Sequence, residues 1–307
     1  MNGKWPSGQE EKKLIRLRRS GTPINKIAEI AGVSESTARE HLNQINKLEE
    51  MIKDLPTYPD QVLQIKGDTT ITSDWHAPYF SVKWLRRMLA VSRKLEIKQL
   101  AIVGDLTDLK WISRFMVRDR SSGDLNHEFK VVISLLQVLL RSFEKVYWSR
   151  GNHEDRLLHA LSGHDIIPAL ADLVCESEPG ELIITPSSTM LLNGDWRLEH
   201  PQSYSRDAAR VASQLATIFH KNVACGHGHF IGYKHDISGR YVGIDLGGMF
   251  DRGKQEYLHL GGVTTHPRWN PGFWVYHGGK PQPFDSSLIN WHEWGVDGED
   301  AETHQGT

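Results

Sequence analysis

Cysteine is scarce: the 307 residues contain only Cys175 and Cys225, at no paired spacing. That excludes a disulfide framework and a thiolate metal cluster, and it suits a reducing compartment. Long hydrophobic runs are missing too. The longest apolar stretch, Val131 to Leu140, is interrupted by Gln137 and falls well short of the roughly 20 residues a bilayer-spanning helix needs. The opening MNGKWPSGQEEKK has no apolar segment behind its charges, so the expectation is no secretory signal, no membrane and a cytoplasmic protein. Nor is there a large excess of one charge, the net being −2. With 39% hydrophobic and 24% charged residues, a disordered, collagenous or wholly coiled-coil chain is excluded. The length allows two domains, or one large domain with an appendage. No internal repeat is found.

Near-neutrality hides an asymmetry. Up to Leu48 nine Lys/Arg face five Glu, whereas the remainder has 27 Lys/Arg against 33 Asp/Glu. A basic N-terminal module suited to a polyanion precedes a mildly acidic body, with a solvated helix face as the plainer alternative. Glu10 to Arg19 reads as a helix, ended by Ser20-Gly21-Thr22-Pro23. Thr22 is expected as the next N-cap with Pro23 at the first helical position. Ile24, Ile27, Ala28 and Ala31 keep helical spacing; Gly32-Val33-Ser34 then turns the chain, and Ser34 caps a third helix over Glu35 to Asn46. The segment INKIAEIAGVSESTAREHLNQI resembles the DNA-binding helix-turn-helix family, with Ala28 at the helix crossing, Gly32 in the turn and Val33 beneath it. The resemblance implies a DNA partner whose major groove would meet Ser36, Thr37 and Arg39, beside Glu35 and Glu40. A module that docks on protein or forms a homodimer is the alternative.

From about Ile65 short β-branched runs alternate with helical stretches. Strands are expected at Thr69–Ser73, Leu100–Val103 and Val146–Ser149, and helices at Trp84–Leu95 and Phe129–Phe143. That alternation implies a parallel sheet with ligand groups at its carboxyl ends. Further strands follow at Thr189–Leu192, Asp195–His200, Val223–Cys225, Ile231–His235, Tyr241–Leu246 and Phe273–Tyr276, the first two joined by an Asn193-Gly194 hairpin turn. The expected organisation is a helix-turn-helix domain over 1–50, a linker over 51–66, a catalytic domain over 67–286 and an acidic, unstructured tail over 287–307. Trp269, Trp274, Trp291 and Trp294 are expected to pack.

Five strand ends carry metal-ligand types. Asp74-Trp75-His76 follows the first strand, and alternation aims Asp74 and His76 to one side. Gly104-Asp105-Leu106-Thr107-Asp108 follows the second, with Asp105 and Asp108 on one face of a turn that Gly104 permits. An anionic carboxylate there would offset repulsion between two cations. Gly151-Asn152-His153-Glu154 follows the third and supplies a neutral oxygen ligand beside a titratable ring. His200 and Gly226-His227-Gly228-His229 complete the set. Singly, each has an ordinary structural explanation; five in this order do not.

This series resembles the calcineurin-like metallophosphoesterase superfamily across about Ile65 to Phe284. The resemblance implies an α/β (α+β) fold, a four-layer β-sandwich flanked by helices, with two divalent metals at one edge. By position, Asp74, His76, Asp105 and His229 would hold one metal and Asp105, Asn152, His200 and His227 the other, Asp105 bridging. Mn²⁺ is the first expectation, with Fe or Zn²⁺ as alternatives. His153 would protonate the leaving oxygen, with Asp108 orienting its ring as in the family. Arg150 and Arg156 flank the third motif and suit bidentate phosphate binding, Arg156 better for starting the next helix. Departures disfavour a Ser/Thr protein phosphatase: Asp108-Leu109-Lys110 stands where that branch has Asp-Arg-Gly, and Ala77 where it has Gly. His200 is followed by Pro201 where many relatives carry Gly. Asn126-His127-Glu128 imitates the third motif but follows a loop, so it reads as a helix start. Lys110, Trp111, Ile112, Ser113, Arg114, Phe115, Arg118 and Arg120 mix basic and aromatic residues, as suits either an exposed nucleic-acid strand or a plain amphipathic helix.

The expected function is two-metal phosphodiester hydrolysis directed to DNA by the N-terminal module. The alternatives are a phosphomonoesterase using that module for assembly, and a non-enzymatic DNA-binding protein.

Overall fold

The computed structural model describes residues 4–53, 62–112, 125–160, 178–255, 269–285 and 289–296. Cys175, the stretch Ser113 to Arg120, half of the expected linker and the end of the expected tail lie outside the described residues. The chain divides into two compact units, Met1–Gln61 and Val62–Thr307.

The first unit holds helices α1 (Gln9–Arg19), α2 (Ile24–Ala31) and α3 (Glu35–Ile52). Their apolar stripes converge: Leu14, Ile27 and Leu42 form one cluster, and Ala28, Val33 and Ala38 another. Small residues at 28 and 38 let the backbones approach. Gly32 ends α2 in the left-handed region at φ 68°, and the Ser34 hydroxyl accepts from the Thr37 N–H at 3.1 Å to begin α3. Thr22 does not cap α2. Pro23 stands at that position in extended conformation, and its carbonyl accepts from Lys26 and Ile27.

The second unit is built on two six-stranded sheets. One has the order β12-β11-β2-β3-β4-β5 and the other β1-β6-β7-β8-β10-β9. The strands are β1 (Leu63–Ile65), β2 (Thr69–Thr72), β3 (Gln99–Val103), β4 (Lys145–Ser149), β5 (Glu181–Thr185), β6 (Thr189–Leu192), β7 (Trp196–Glu199), β8 (Asn222–Cys225), β9 (Ile231–His235), β10 (Val242–Leu246), β11 (Gly272–His277) and β12 (Lys280–Asp285). Its helices are α4 (Val82–Lys94), α5 (Leu125–Ser142), α6 (Asn152–Ala160) and α7 (Arg210–Phe219). Ile71, Ala101, Val103 and Trp274 of the first sheet meet Met190, Leu198, Ala224 and Ile244 of the second. The outer faces are covered by α4 and α5 on one side and α7 on the other, giving four layers. At roughly 25 cal/mol per Å² these interdigitated apolar faces supply the main stabilisation. Among the described residues, no helix is long and apolar enough to cross a membrane.

β2, β3, β4 and β5 run parallel, as the alternation predicts, and β7 and β8 pair in parallel in the other sheet. Register places Thr72 beside Ile102, Ile102 beside Trp148, and Glu199 beside Cys225. All five motifs therefore leave their strands at matched carboxyl ends. Asn193 and Gly194 turn the β6–β7 hairpin at φ 52° and 77°. Part of the segment read as a tail is folded: Trp291 is buried edge-on against Trp84 at 5.5 Å, and Trp294 packs on Phe284 at 5.1 Å.

Candidate metal centre

The turns after β2, β3 and β8 are strained. Asp74, His76, Asp105, His227 and His229 all have positive φ, between 47° and 72°. For residues with a Cβ this conformation costs about 1 kcal/mol each, and it persists only where surrounding contacts determine it. Two glycines make room: a Cβ on Gly104 would strike the His200 ring, and one on Gly151 would strike Asp105.

Two buried glutamates fix the loop that carries Asp105. Glu154 accepts from the N–H groups of Asp105 (2.9 Å), Thr107 (3.0 Å) and Gly151 (2.8 Å), and from the Thr107 hydroxyl (2.9 Å). Glu128, the acid of the imitation motif, accepts from Asp108 N–H (3.0 Å) and Leu109 N–H (2.8 Å). The Asn126-His127-Glu128 segment does lie at a helix start, yet its carboxylate supports the second motif. Burial pushes Glu128 up to about 7, with the Asp108 charge adding to the rise against two stabilising N–H bonds.

The candidate ligands meet in adjoining groups. Asp74 Oδ1 is 3.1 Å from His229 Nε2 and 3.8 Å from His76 Nε2, and those two ring nitrogens face each other at 3.1 Å. Asp105 Oδ2 is 3.3 Å from His200 Nε2, which lies 3.1 Å from Asn152 Oδ1; His227 joins Asp105 and His200 in the second group. The Val103 carbonyl accepts from His200 Nδ1 at 2.9 Å, so in a neutral ring Nε2 turns a lone pair toward two oxygen acceptors. His200, despite Pro201, thus stands among the others.

Such a meeting of lone pairs needs a positive charge. Counting protein groups alone, burial opposes protonation of His200, but Asp105 and Asp74 push it up to about 10. Burial raises Asp74, and the charge and hydrogen bond of His229 outweigh this, taking it to about 2. Asp105 Oδ2, His76 Nδ1 and His229 Nδ1 are buried without a hydrogen bond. Nitrogen and carboxylate oxygen donors in this arrangement fit divalent cations.

His153 and Asp108 are also brought together, but differently from expectation. The Asp108 backbone carbonyl accepts from His153 Nδ1 at 2.5 Å, leaving the carboxylate 3.6 Å away. That carboxylate is nearer His76, its Oδ1 being 3.2 Å from Nδ1. Orientation of the His153 ring by the Asp108 carboxylate is thus corrected: a closer acceptor takes the ring proton. Burial, with help from His76 and Arg156, lowers His153 to about 3 against the pull of Asp105.

Arg156 lies within α6, which begins at Asn152, so it does not start that helix. Its guanidinium is 2.9 Å from His153 Nε2 and donates to the Asp108 carbonyl at 3.1 Å. It also borders a cavity of about 660 Å³ with Asn152, His227, His159 and Gln202. Arg150 is half-buried and does not line this cavity. Sequence reading missed His159, Gln202 and Tyr204; a ring standing four residues after His200 was the available signal.

In the first unit Ser36 and Thr37 hydroxyls lie 2.8 and 2.7 Å from Ser34 Oγ, and Arg39 pairs with Glu35 at 2.8 Å. Ser36 and Arg39, with Glu35, Asn43, Gln44 and Lys47, occupy an exposed concave face of α3, which Thr37 does not line.

Carboxylates and imidazoles gathered at the strand ends of a four-layer sandwich define a metal-dependent hydrolase. The Calcineurin-like phosphoesterase family model matches residues 68–305, and the chain belongs to that family. It is therefore a metal-dependent phosphoric ester hydrolase, and an inert DNA-binding protein is set aside. No curated protein matches the chain. Among solved structures, a single mutant of Vps29 from Entamoeba histolytica is similar at 11% identity, covering 71% of this chain and 99% of that one, with a TM-score of 0.33.

Proposed function

We propose that the chain is a two-metal phosphodiesterase acting on nucleic acid, with Mn²⁺ as the working metal. The observation that carries the reading is the pair of neighbouring ligand groups, Asp74 with His76 and His229, and Asp105 with His200 and His227, the second of which reaches an open cavity through Asn152 and His227. Asp74, His76, Asp105 and His229 would hold one cation and Asp105, Asn152, His200 and His227 the other. Bound there, the pair would acidify water and neutralise phosphate oxygens. Arg156 supplies a planar donor fork at the cavity wall, suited to two phosphate oxygens. His153 Nε2, 3.7 Å from Asp105 Oδ2, is the ring atom that faces the reacting groups; with Nδ1 committed to the Asp108 carbonyl, it would serve the leaving oxygen only after taking up a proton, which the charge of a bound phosphate favours. Glu154 and Glu128 keep these groups in register by holding the backbone that carries them.

The basic segment up to Leu48 supports DNA as the substrate, through Ser36, Thr37 and Arg39 on α3. A second reading has an observation of its own. Ile30, Leu48 and Met51 are exposed on the same unit, which favours assembly, such as a homodimer, around a phosphomonoesterase.

Hydrolysis of bis-p-nitrophenyl phosphate, p-nitrophenyl phosphate and single- and double-stranded DNA with Mn²⁺ separates the two readings. Cleavage of diester and DNA, lost in His153→Ala, with only DNA cleavage weakened by Arg39→Ala/Lys47→Ala, supports the proposal. Monoester cleavage alone contradicts it.

A further inference from the structure

The cavity beside Asn152 and His227 measures about 660 Å³, in the range of sites that enclose a whole small molecule. A phosphate group fills little of it. Beyond the candidate metal ligands its described lining is Ile112, Asp155, Arg156, His159, Ala160 and Gln202, four hydrogen-bonding side chains beside two aliphatic ones. Arg156 and His159 lie three residues apart on α6 and share one face. Gln202 comes from the loop after His200. Two residues on, Tyr204 holds its ring edge-on to His227 at 6.4 Å, with the residue 47% exposed. A large aromatic ring left open beside the site, next to amide, imidazole and guanidinium donors, suits a flat heteroaromatic base and a hydroxylated sugar.

We propose that this cavity is a nucleoside subsite: Tyr204 stacks on the base, while His159 and Gln202 hydrogen-bond the sugar or base edge flanking the scissile phosphate. The proposal rests on the phosphodiesterase reading and gives its substrate a chemical class, a nucleoside phosphodiester. It also assigns specificity to the loop after His200 and to the His159 face of α6.

The test compares two chromogenic diesters that differ only in their flank, the p-nitrophenyl ester of thymidine 5′-phosphate and methyl p-nitrophenyl phosphate, using the full chain with Mn²⁺. Stacking on a base is worth a factor of about ten or more. Tyr204→Ala is expected to lower the ratio of kcat/KM, thymidine ester over methyl ester, about tenfold through KM; Tyr204→Phe should restore it. His159→Ala and Gln202→Ala should lower the ratio severalfold. Equal losses on both esters, or no loss on either, overturn the subsite. Should the wild type cleave neither diester, the phosphodiesterase reading fails, and calorimetric binding of thymidine 5′-phosphate still decides the subsite. Binding about tenfold weaker in Tyr204→Ala upholds it, and equal binding removes it.

Discussion

In the second unit, Asp74, His76, Asp105, His200 and His229 are buried, and four of these five also have positive φ. In the first, Ser36 and Arg39 lie at the surface, and Ser36, Thr37 and Arg39 are held by neighbours two to four residues away. The difference is one of constraint. Burying carboxylates and neutral imidazoles with lone pairs turned on one another is unfavourable unless a cation joins them, so that cluster declares its chemistry. An exposed Arg–Glu pair is worth a few tenths of a kcal/mol and is compatible with almost any use.

The largest expected effect falls on the buried side. Asp105→Asn should lower kcat/KM for bis-p-nitrophenyl phosphate by on the order of 10³, matching the several kcal/mol that metal ions contribute. A loss under tenfold, measured by initial rates, would make the two regions alike.

Glu128 sharpens the contrast through pH. Its folded pKa, about 7, lies above the ordinary 4.5. The folded chain therefore holds more protons than the unfolded one between those values, and stability falls as pH rises through that window. The loss is up to roughly 3 kcal/mol. Glu128→Gln keeps an acceptor for Asp108 and Leu109 N–H, and should flatten the fall between pH 4.5 and 7 in urea unfolding. An unaltered slope would show that burial does not hold this carboxyl neutral.

Glu154→Gln keeps the shape but weakens four charge-assisted bonds. Mn²⁺ affinity should drop about 10- to 100-fold, as when a ligand's supporting partner is changed. At the smallest end, Arg39→Ala should shift the unfolding free energy by no more than about 0.5 kcal/mol. A larger shift would mean that α3 depends on that pair.

The site was legible because its residue types follow strands in a fixed order, and parallel pairing brings strand ends together. Other parts obeyed rules that sequence spacing does not display. Pro281 and Pro283 disguise β12, which tolerates them only as an edge strand opposite Tyr276 and Trp274. The left-handed turns at Asp74 and His227 are imposed by packing, not by glycine. Glu128 sits 20 residues from the backbone it holds, so no local pattern could reveal the bond. The Asp108 carboxylate turned toward His76 because the nearer carbonyl had already taken the His153 proton. The exposed face of α3 is legible as a helix surface, and its partner is a matter for measurement.

The central claim is that the buried carboxylates and imidazoles form a centre for two divalent cations joined through Asp105. Counting Mn²⁺ by calorimetric titration of the full chain and of Asp105→Asn tests it most directly. Two equivalents per chain, both weakened in the variant, are expected; no binding, or equal binding in the variant, would contradict the account.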